Sequence, residues 1–190
     1  MRERQLIPIE VAGSAVSSAV SLLLEDPDIA EVFGWLRSEP GTASRSGWSG
    51  AEGTRLFAVA EKGCGIIGLA ALSNIRRGER YARLSCAVAA PYRLAGAGHW
   101  AATETIRRGV RLDGLRHVDA YVREDSFTAR RVLESMGFRV REDGPEASPE
   151  GHLRLRLDLP VDPKGHFLMA PRPAASVKTP ARAHAAALSA

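Results

Sequence analysis

The chain has 190 residues, 45% hydrophobic and 25% charged, the make-up of one globular domain with an ample core. Its net charge of +4 is concentrated at one end. From Pro160 onward Lys164, Arg172, Lys178 and Arg182 face a single acid, Asp162, which leaves 22 of the 26 basic and 21 of the 22 acidic residues in the body. Such a balance gives no reason to expect a nucleic-acid surface.

The longest helix-like apolar stretch, Val11 to Leu24, is interrupted by Gly and Ser, so no membrane span is expected. The opening M-R-E-R-Q lacks a secretory pattern, and a cytoplasmic location is expected. Cys64 and Cys86 belong to no C-x-x-C or Cys/His cluster. They are read as free, packed thiols, with no metal implied.

Gln5 to Glu10 reads as a first strand, with Pro8 suited to a sheet edge. Ser14 to Leu24 carries helical apolar spacing. Asp26-Pro27-Asp28 stops it, and Asp28 is placed to cap a second helix to about Trp35. Ser38 to Thr54 is a Gly/Ser-rich loop holding Trp48, read either as functional or as an insertion. Arg55 to Glu61 and Gly65 to Leu72 form a hairpin around Lys62-Gly63. Asn74 to Arg80 reads as a polar turn, and Arg83 to Ala89 as the next strand.

A helix from about His99 to Arg111 ends at Asp113-Gly114. Arg116 to Val122 alternates strictly, with His117, Asp119 and Tyr121 on one face and Val118, Ala120 and Val122 on the other. Ser126 opens a helix over Phe127 to Met136, closed by Gly137. Phe138 to Arg141 is a short strand, Glu142 to Glu150 an acidic loop, and Leu153 to Leu159 an amphipathic strand. Beyond Pro160 periodicity is lost. We expect a domain over 1–160 and a flexible Pro/Ala-rich basic tail over 161–190. The order β-α-α-β-β-β-α-β-α-β-β predicts an α/β fold on a mixed sheet, with six or seven strands and about four helices.

The informative stretch is V-A-A-P-Y-R-L-A-G-A-G-H-W-A-A, Val88 to Ala102. A strand breaks at Pro91; Arg93, Gly96 and Gly98 follow; a helix begins. Glycines at i and i+2 let a ligand approach the main chain, because no Cβ intervenes. At a helix N-terminus the amides and the dipole make an anion site, to which Arg93 adds a positive charge. A pyrophosphate is the expected guest. The same pattern also serves as a plain tight turn.

At these residues the chain resembles the GNAT superfamily of acyl-CoA-dependent N-acetyltransferases. Their pyrophosphate loop reads (Q/R)-x-x-G-x-(G/A), filled here by Arg93, Gly96 and Gly98. S-F-T-A-R-R-V-L-E-S-M-G-F, Ser126 to Phe138, is similar to a second family segment, N-x-x-(A/S)-x-x-x-(Y/L)-x-x-x-G-F. The strand A-Y-V-R, Ala120 to Arg123, precedes it. The whole looks most like the Rim-type branch, whose members acetylate protein N-termini, and its small-molecule relatives.

The resemblance implies acetyl-CoA, or another acyl-CoA, as co-substrate. It implies direct transfer to a primary amine on a small molecule or peptide. The cofactor site would comprise Cys86, Ala87 and Val88, whose backbone amides pair with the pantetheine and polarise the thioester. It would continue through the loop of Arg93, Leu94, Ala95, Gly96, Ala97 and Gly98, with Ser126 where the family has Asn. A homodimer stays open.

Three departures bear on the chemistry. Ser126 has a shorter reach than Asn. Leu133 stands where many members have a Tyr that protonates the thiolate. Tyr121 stands where N-terminal acetyltransferases carry a Glu base. Tyr121 and Ser85 are the catalytic candidates, with Arg83 beside them on the acceptor side; the alternative for Tyr121 is an amphipathic core residue. Cys86 as nucleophile is not needed for direct transfer. Glu31 and Glu52 are conceivable bases that nothing selects. Two rivals stand: a nicotinamide enzyme, disfavoured because the loop follows several hairpins, and a catalytically silent CoA-binding module.

Overall fold

A computed structural model describes residues 3–9, 14–33, 53–142 and 148–159. Most of the loop that holds Trp48 and Glu52, together with Trp35, Glu10, the centre of the acidic loop and the whole tail, lies outside the described residues. The elements are β1 (Arg4–Pro8), α1 (Ser14–Leu23), α2 (Pro27–Phe33), β2 (Arg55–Glu61), β3 (Gly65–Arg76) and β4 (Tyr81–Val88). After a single 3-10 turn, Ala90–Tyr92, come α3 (Ala97–Asp113), β5 (His117–Arg123), α4 (Phe127–Ser135), β6 (Arg139–Val140) and β7 (His152–Asp158). This is the element order expected from the sequence, in a mixed α/β fold.

The strands form one seven-stranded sheet ordered β1-β2-β3-β4-β5-β7-β6. Only β4 and β5 run parallel; the other neighbours are antiparallel. A parallel pair needs a crossover, and α3 supplies it.

Alternation along the strands gives the sheet two apolar faces. On one face Leu72, Ala82, Leu84, Val118, Ala120, Leu155 and Leu157 pack with Ala102 and Ile106 of α3 and Leu133 and Met136 of α4. Phe57, Val59, Ala70 and Val88 extend that layer under Ala97 and Ala101. On the other face Leu56, Ala58, Leu69 and Ala71 meet Val20 of α1 and Ile29 and Phe33 of α2. Burying one of the larger of these side chains, a Leu, Ile, Val, Phe or Met, contributes about 1.5–3 kcal/mol.

Local differences from the sequence expectation have physical causes. Asp26, not Asp28, caps α2: its Oδ1 accepts from Asp28 N at 3.0 Å and Ile29 N at 3.3 Å. Asp28 thereby falls in the first helical turn. β3 continues to Arg76 because it stays paired with β4 across an irregularity between Ser73 and Arg76, where Asn74 has φ +52°. Cys64 sits at the hairpin turn and is exposed rather than packed. α3 begins at Ala97, two residues before His99, because Gly96 adopts φ +74° and takes the N-cap.

Candidate active site

β4 has different company along its two edges. Its ladder with β3 runs unbroken from Arg83↔Ser73 to Val88↔Gly68. Its parallel ladder with β5 ends after Leu84↔Ala120. Ser85 to Val88 therefore present an edge that pairs with no described strand.

Peptide groups alternate in direction along a strand. Ala89 N donates to Ile67 O of β3 at 2.9 Å, which fixes the phase. The main chain of Ser85 and Ala87 turns toward β3, and that of Cys86 and Val88 turns into the gap. Of the three backbone donors expected, Cys86 and Val88 face the opening. Ala87 does not, because the register with β3 uses its amide.

The glycine loop follows directly. Leu94 has φ +61°, rare for a residue with a side chain, and is exposed. Ala95 offers its carbonyl to Arg4 Nη2 at 3.0 Å, which ties the loop to β1. No side chain caps α3 at Gly96, and the helix ladder opens with Trp100 N donating to Gly96 O at 3.0 Å. The first-turn amides, those of Ala97 and Gly98 among them, have no acceptor inside the helix. A Cβ built at Gly96 would meet nothing within 4 Å, and one at Gly98 only Val88 Cγ2 at 3.9 Å. The loop surface is open, and its donors suit an anion such as a diphosphate.

Arg93, just ahead of the glycines, is held by three groups. Its Nε donates to Val88 O at 2.8 Å, its Nη1 to Asp28 Oδ2 at 2.5 Å, and its Nη2 lies 3.7 Å from Asp26 Oδ1. Two carboxylates of the α2 start already balance its charge. Arg93 thereby braces the strand end against α2, beside the open amides of α3.

Ser126 stands at the N-cap of α4 but makes no capping bond with its side chain. Leu133 is buried in the core under α3 and α4 and cannot approach a leaving thiolate. Cys86 is half-buried with Sγ 3.8 Å from Gly98 O, and desolvation pushes its thiol pKa up to about 12. A thiol so raised is a poor nucleophile at neutral pH.

The face opposite α3 carries the other candidates. Tyr81 and Arg83 of β4 pair with His117 and Asp119 of β5, and Ser85 and Tyr121 each follow one residue past the last pair. Tyr121 lies one residue past the last β4–β5 pair, half-buried, with the Arg83 guanidinium 4.2 Å from its ring centroid. Ser85, likewise half-buried, opens the unpaired stretch. The structure therefore groups Ser85, Tyr121 and Arg83 at the point where the two strands part. Glu31, on α2, accepts from Arg123 Nη1 at 3.3 Å.

One cluster escaped sequence reading. Asp119 is fully buried and accepts from Arg154 Nε at 2.8 Å, Arg156 Nε at 2.7 Å and Tyr81 Oη at 3.2 Å. Burial pushes its carboxyl pKa up, but the bonds from Arg156 and Arg154 outweigh this and hold it below the usual range. Burial beside Asp119 raises the Tyr81 phenol to about 12. The signal was the alternation of Arg154 and Arg156 in β7, which points at Asp119 only once the β5–β7 register is known.

Among the described residues no helix is long and apolar enough to cross a membrane, and no cluster of metal-ligating side chains occurs. No curated protein matches the chain at a significant level. Solved structures share its fold. Spermidine N-acetyltransferase from Vibrio cholerae, in complex with CoA and spermine, is similar at 16% identity and a TM-score of 0.61, over 82% of this chain and 95% of the other. The Campylobacter jejuni N-acetyltransferase PseH, in complex with acetyl coenzyme A, is similar at 16% identity and a TM-score of 0.58, over 82% and 99%. The description "Acetyltransferase (GNAT) domain" matches residues 15–139, most of the chain. With that match, the sheet parted between β4 and β5, and the uncapped helix beyond it, the chain belongs to the GNAT acetyltransferase family.

Proposed function

We propose that the protein transfers an acetyl group from acetyl-CoA to a primary amine on a small molecule or peptide, directly, in a complex holding both substrates. The observation that carries this reading is the unpaired edge at Cys86 and Val88, continuous with the open amides at the start of α3. One offers main-chain partners to an extended arm with peptide-like groups, the other to a diphosphate. Family membership and the amine acetyltransferases of the same fold support it.

The acceptor nitrogen forms a bond to the thioester carbonyl carbon, the C–S bond breaks, sulfur leaves with its electron pair, and the amine gives up one proton. Outward amides at Cys86 and Val88 donate to the carbonyl oxygen as it gains charge. Ser85 and Tyr121 border the gap on the face away from α3, where the amine enters. Tyr121 positions that nitrogen or passes its proton to solvent. Ser126, with no capping bond, is available to the arm of the co-substrate. The A-Y-V-R strand and the G-F after α4 support a place near the Rim-type branch.

Thiol release from acetyl-CoA across an amine panel tests the proposal. Turnover with at least one amine, lost in a Gly98→Trp variant, is the expected result. Tight acetyl-CoA binding with no turnover on any amine would overturn it in favour of a silent CoA-binding module, a reading favoured by Leu133 and Tyr121 standing in place of a Tyr acid and a Glu base.

A further inference from the structure

The acceptor's chemistry can be argued from the face it must approach. A thioester lying in the gap between β4 and β5 has α3 on one side, since Val88 packs with Ala97 and Ala101 and Cys86 touches Gly98. The amine therefore arrives from the opposite side. That side is populated by guanidinium groups. Arg83 lies over the Tyr121 ring, Arg154 stands opposite Tyr121 across the β5–β7 ladder, and Arg156 stands opposite Asp119.

Asp119 is the carboxylate shared by Arg154 and Arg156, and its buried oxygens are occupied by them. Arg83 forms no ion pair with any described carboxylate; its contact is the Tyr121 ring. Arg123, further along β5, is matched by Asp125 and Glu31. Arg83 thus carries a positive charge that no described carboxylate offsets.

A half-buried guanidinium with no described carboxylate beside it, stacked on an aromatic ring at the edge of the gap, is built to receive an anion. It presents a planar fork of donors that fits a carboxylate or a phosphate bidentately. The ring beneath restricts its rotamers, which lowers the cost of ordering it on binding. A polyamine would bring further positive charge to Arg83 and offer it no anion.

We propose that the acceptor is an amine that also carries an anionic group, a carboxylate or a phosphate, and that Arg83 binds that group while Tyr121 orients the amine. This inference rests on the acetyl-transfer reading for the position of the thioester. It also identifies Arg83 as a specificity-determining residue that the family motifs do not contain.

Matched pairs of amines separate the two levels. Ornithine is compared with putrescine, and phosphoethanolamine with ethanolamine, with spermidine added as a polyamine. Binding is measured by calorimetry in the presence of CoA, which has no acetyl group to transfer, and thiol release is measured separately with acetyl-CoA. The acid-bearing member of at least one pair is expected to bind tenfold or more tightly than its partner. The pair that discriminates tells carboxylate from phosphate.

Arg83→Gln should abolish that preference and Arg83→Lys should restore part of it, with CoA affinity unchanged in both as the check on folding. Equal or tighter binding of the acid-free amines, or a preference that survives Arg83→Gln, would overturn the inference. Failure to detect any acid-bearing ligand would do the same. Thiol release with putrescine or spermidine alone would sink this inference yet leave acetyl transfer standing. Absence of thiol release with every amine, with ornithine binding through Arg83 intact, would sink acetyl transfer alone.

Discussion

Arg93 and Asp28 are far apart in sequence and meet Nη1 to Oδ2 at 2.5 Å, while Arg93 Nε holds the carbonyl of Val88. The pair links the first turn of α2 to the end of β4 just ahead of the glycine loop. Both side chains are substantially exposed, so the ion pair itself contributes at most about 1 kcal/mol. Its larger role is to fix the strand end. Asp28→Asn should lower stability only slightly but weaken CoA binding severalfold by calorimetry. Tighter CoA binding would instead show that the freed guanidinium serves the phosphates.

Gly98 faces open space beyond a 3.9 Å contact with Val88 Cγ2. A methyl group fits there, and in a helix Ala is favoured over Gly by roughly 0.5–1 kcal/mol. Gly98→Ala should therefore leave the melting temperature unchanged or raised. Gly98→Trp should keep the fold and lose CoA affinity by more than tenfold, because the indole occupies the approach to the first-turn amides. Unchanged affinity in the Trp variant would mean the anion binds elsewhere.

Asp119 and Asp113 tie distant elements through arginines. Asp113 accepts from Arg55 at 2.6 and 2.8 Å and from Arg77 at 3.3 Å; those bonds, against a burial penalty, hold its carboxyl below the usual range. Both carboxylates titrate lower in the folded chain than in the unfolded one, where an Asp titrates near 3.9. Their contribution is thus complete above about pH 5 and lost as the pH falls through the folded values. Urea unfolding should give a plateau between pH 5 and 8 and a steep loss below about pH 4. Asp119→Ala should cost about 3–5 kcal/mol at pH 7, since it removes the buried carboxylate that Arg154 and Arg156 share. A stability that rises on acidification would contradict this account.

The two cysteines should label very differently. Cys64 is exposed, whereas the thiol pKa of Cys86 is pushed up to about 12 by burial. At pH 8 iodoacetamide should add one carbamidomethyl group to the native protein and none to Cys64→Ser, read by mass spectrometry. Incubation with acetyl-CoA should leave no acetyl group on Cys86, and Cys86→Ala should retain acetyl transfer. Rapid alkylation of Cys86 would reopen a covalent route.

Local pattern carried the fold far. Alternation, turn residues and the spacing of Arg93, Gly96 and Gly98 set the order of elements, the sheet class and the helix that meets the loop. What the chain did not disclose depends on register between distant strands. The pairing of β5 with β7 places Arg156 opposite Asp119 and Arg154 opposite Tyr121, and nothing near any one of these residues foretells it. Likewise the motif around Arg93 says nothing of its ion pair. Its engagement by Asp28 appears only when α2 is packed against β4. The exclusion of Ala87 from the backbone donors follows from a phase set by Ala89 and Ile67.

The four-pair junction of β4 with β5 leaves a seam that the polypeptide does not close by itself. An incoming arm that hydrogen-bonds along Cys86 and Val88 behaves as an eighth, borrowed strand, so ligand capture and completion of the sheet are one event. Amide hydrogens at Cys86 and Val88 should exchange rapidly in the free protein and slow once the seam is filled. The unfolding temperature should climb with co-substrate concentration.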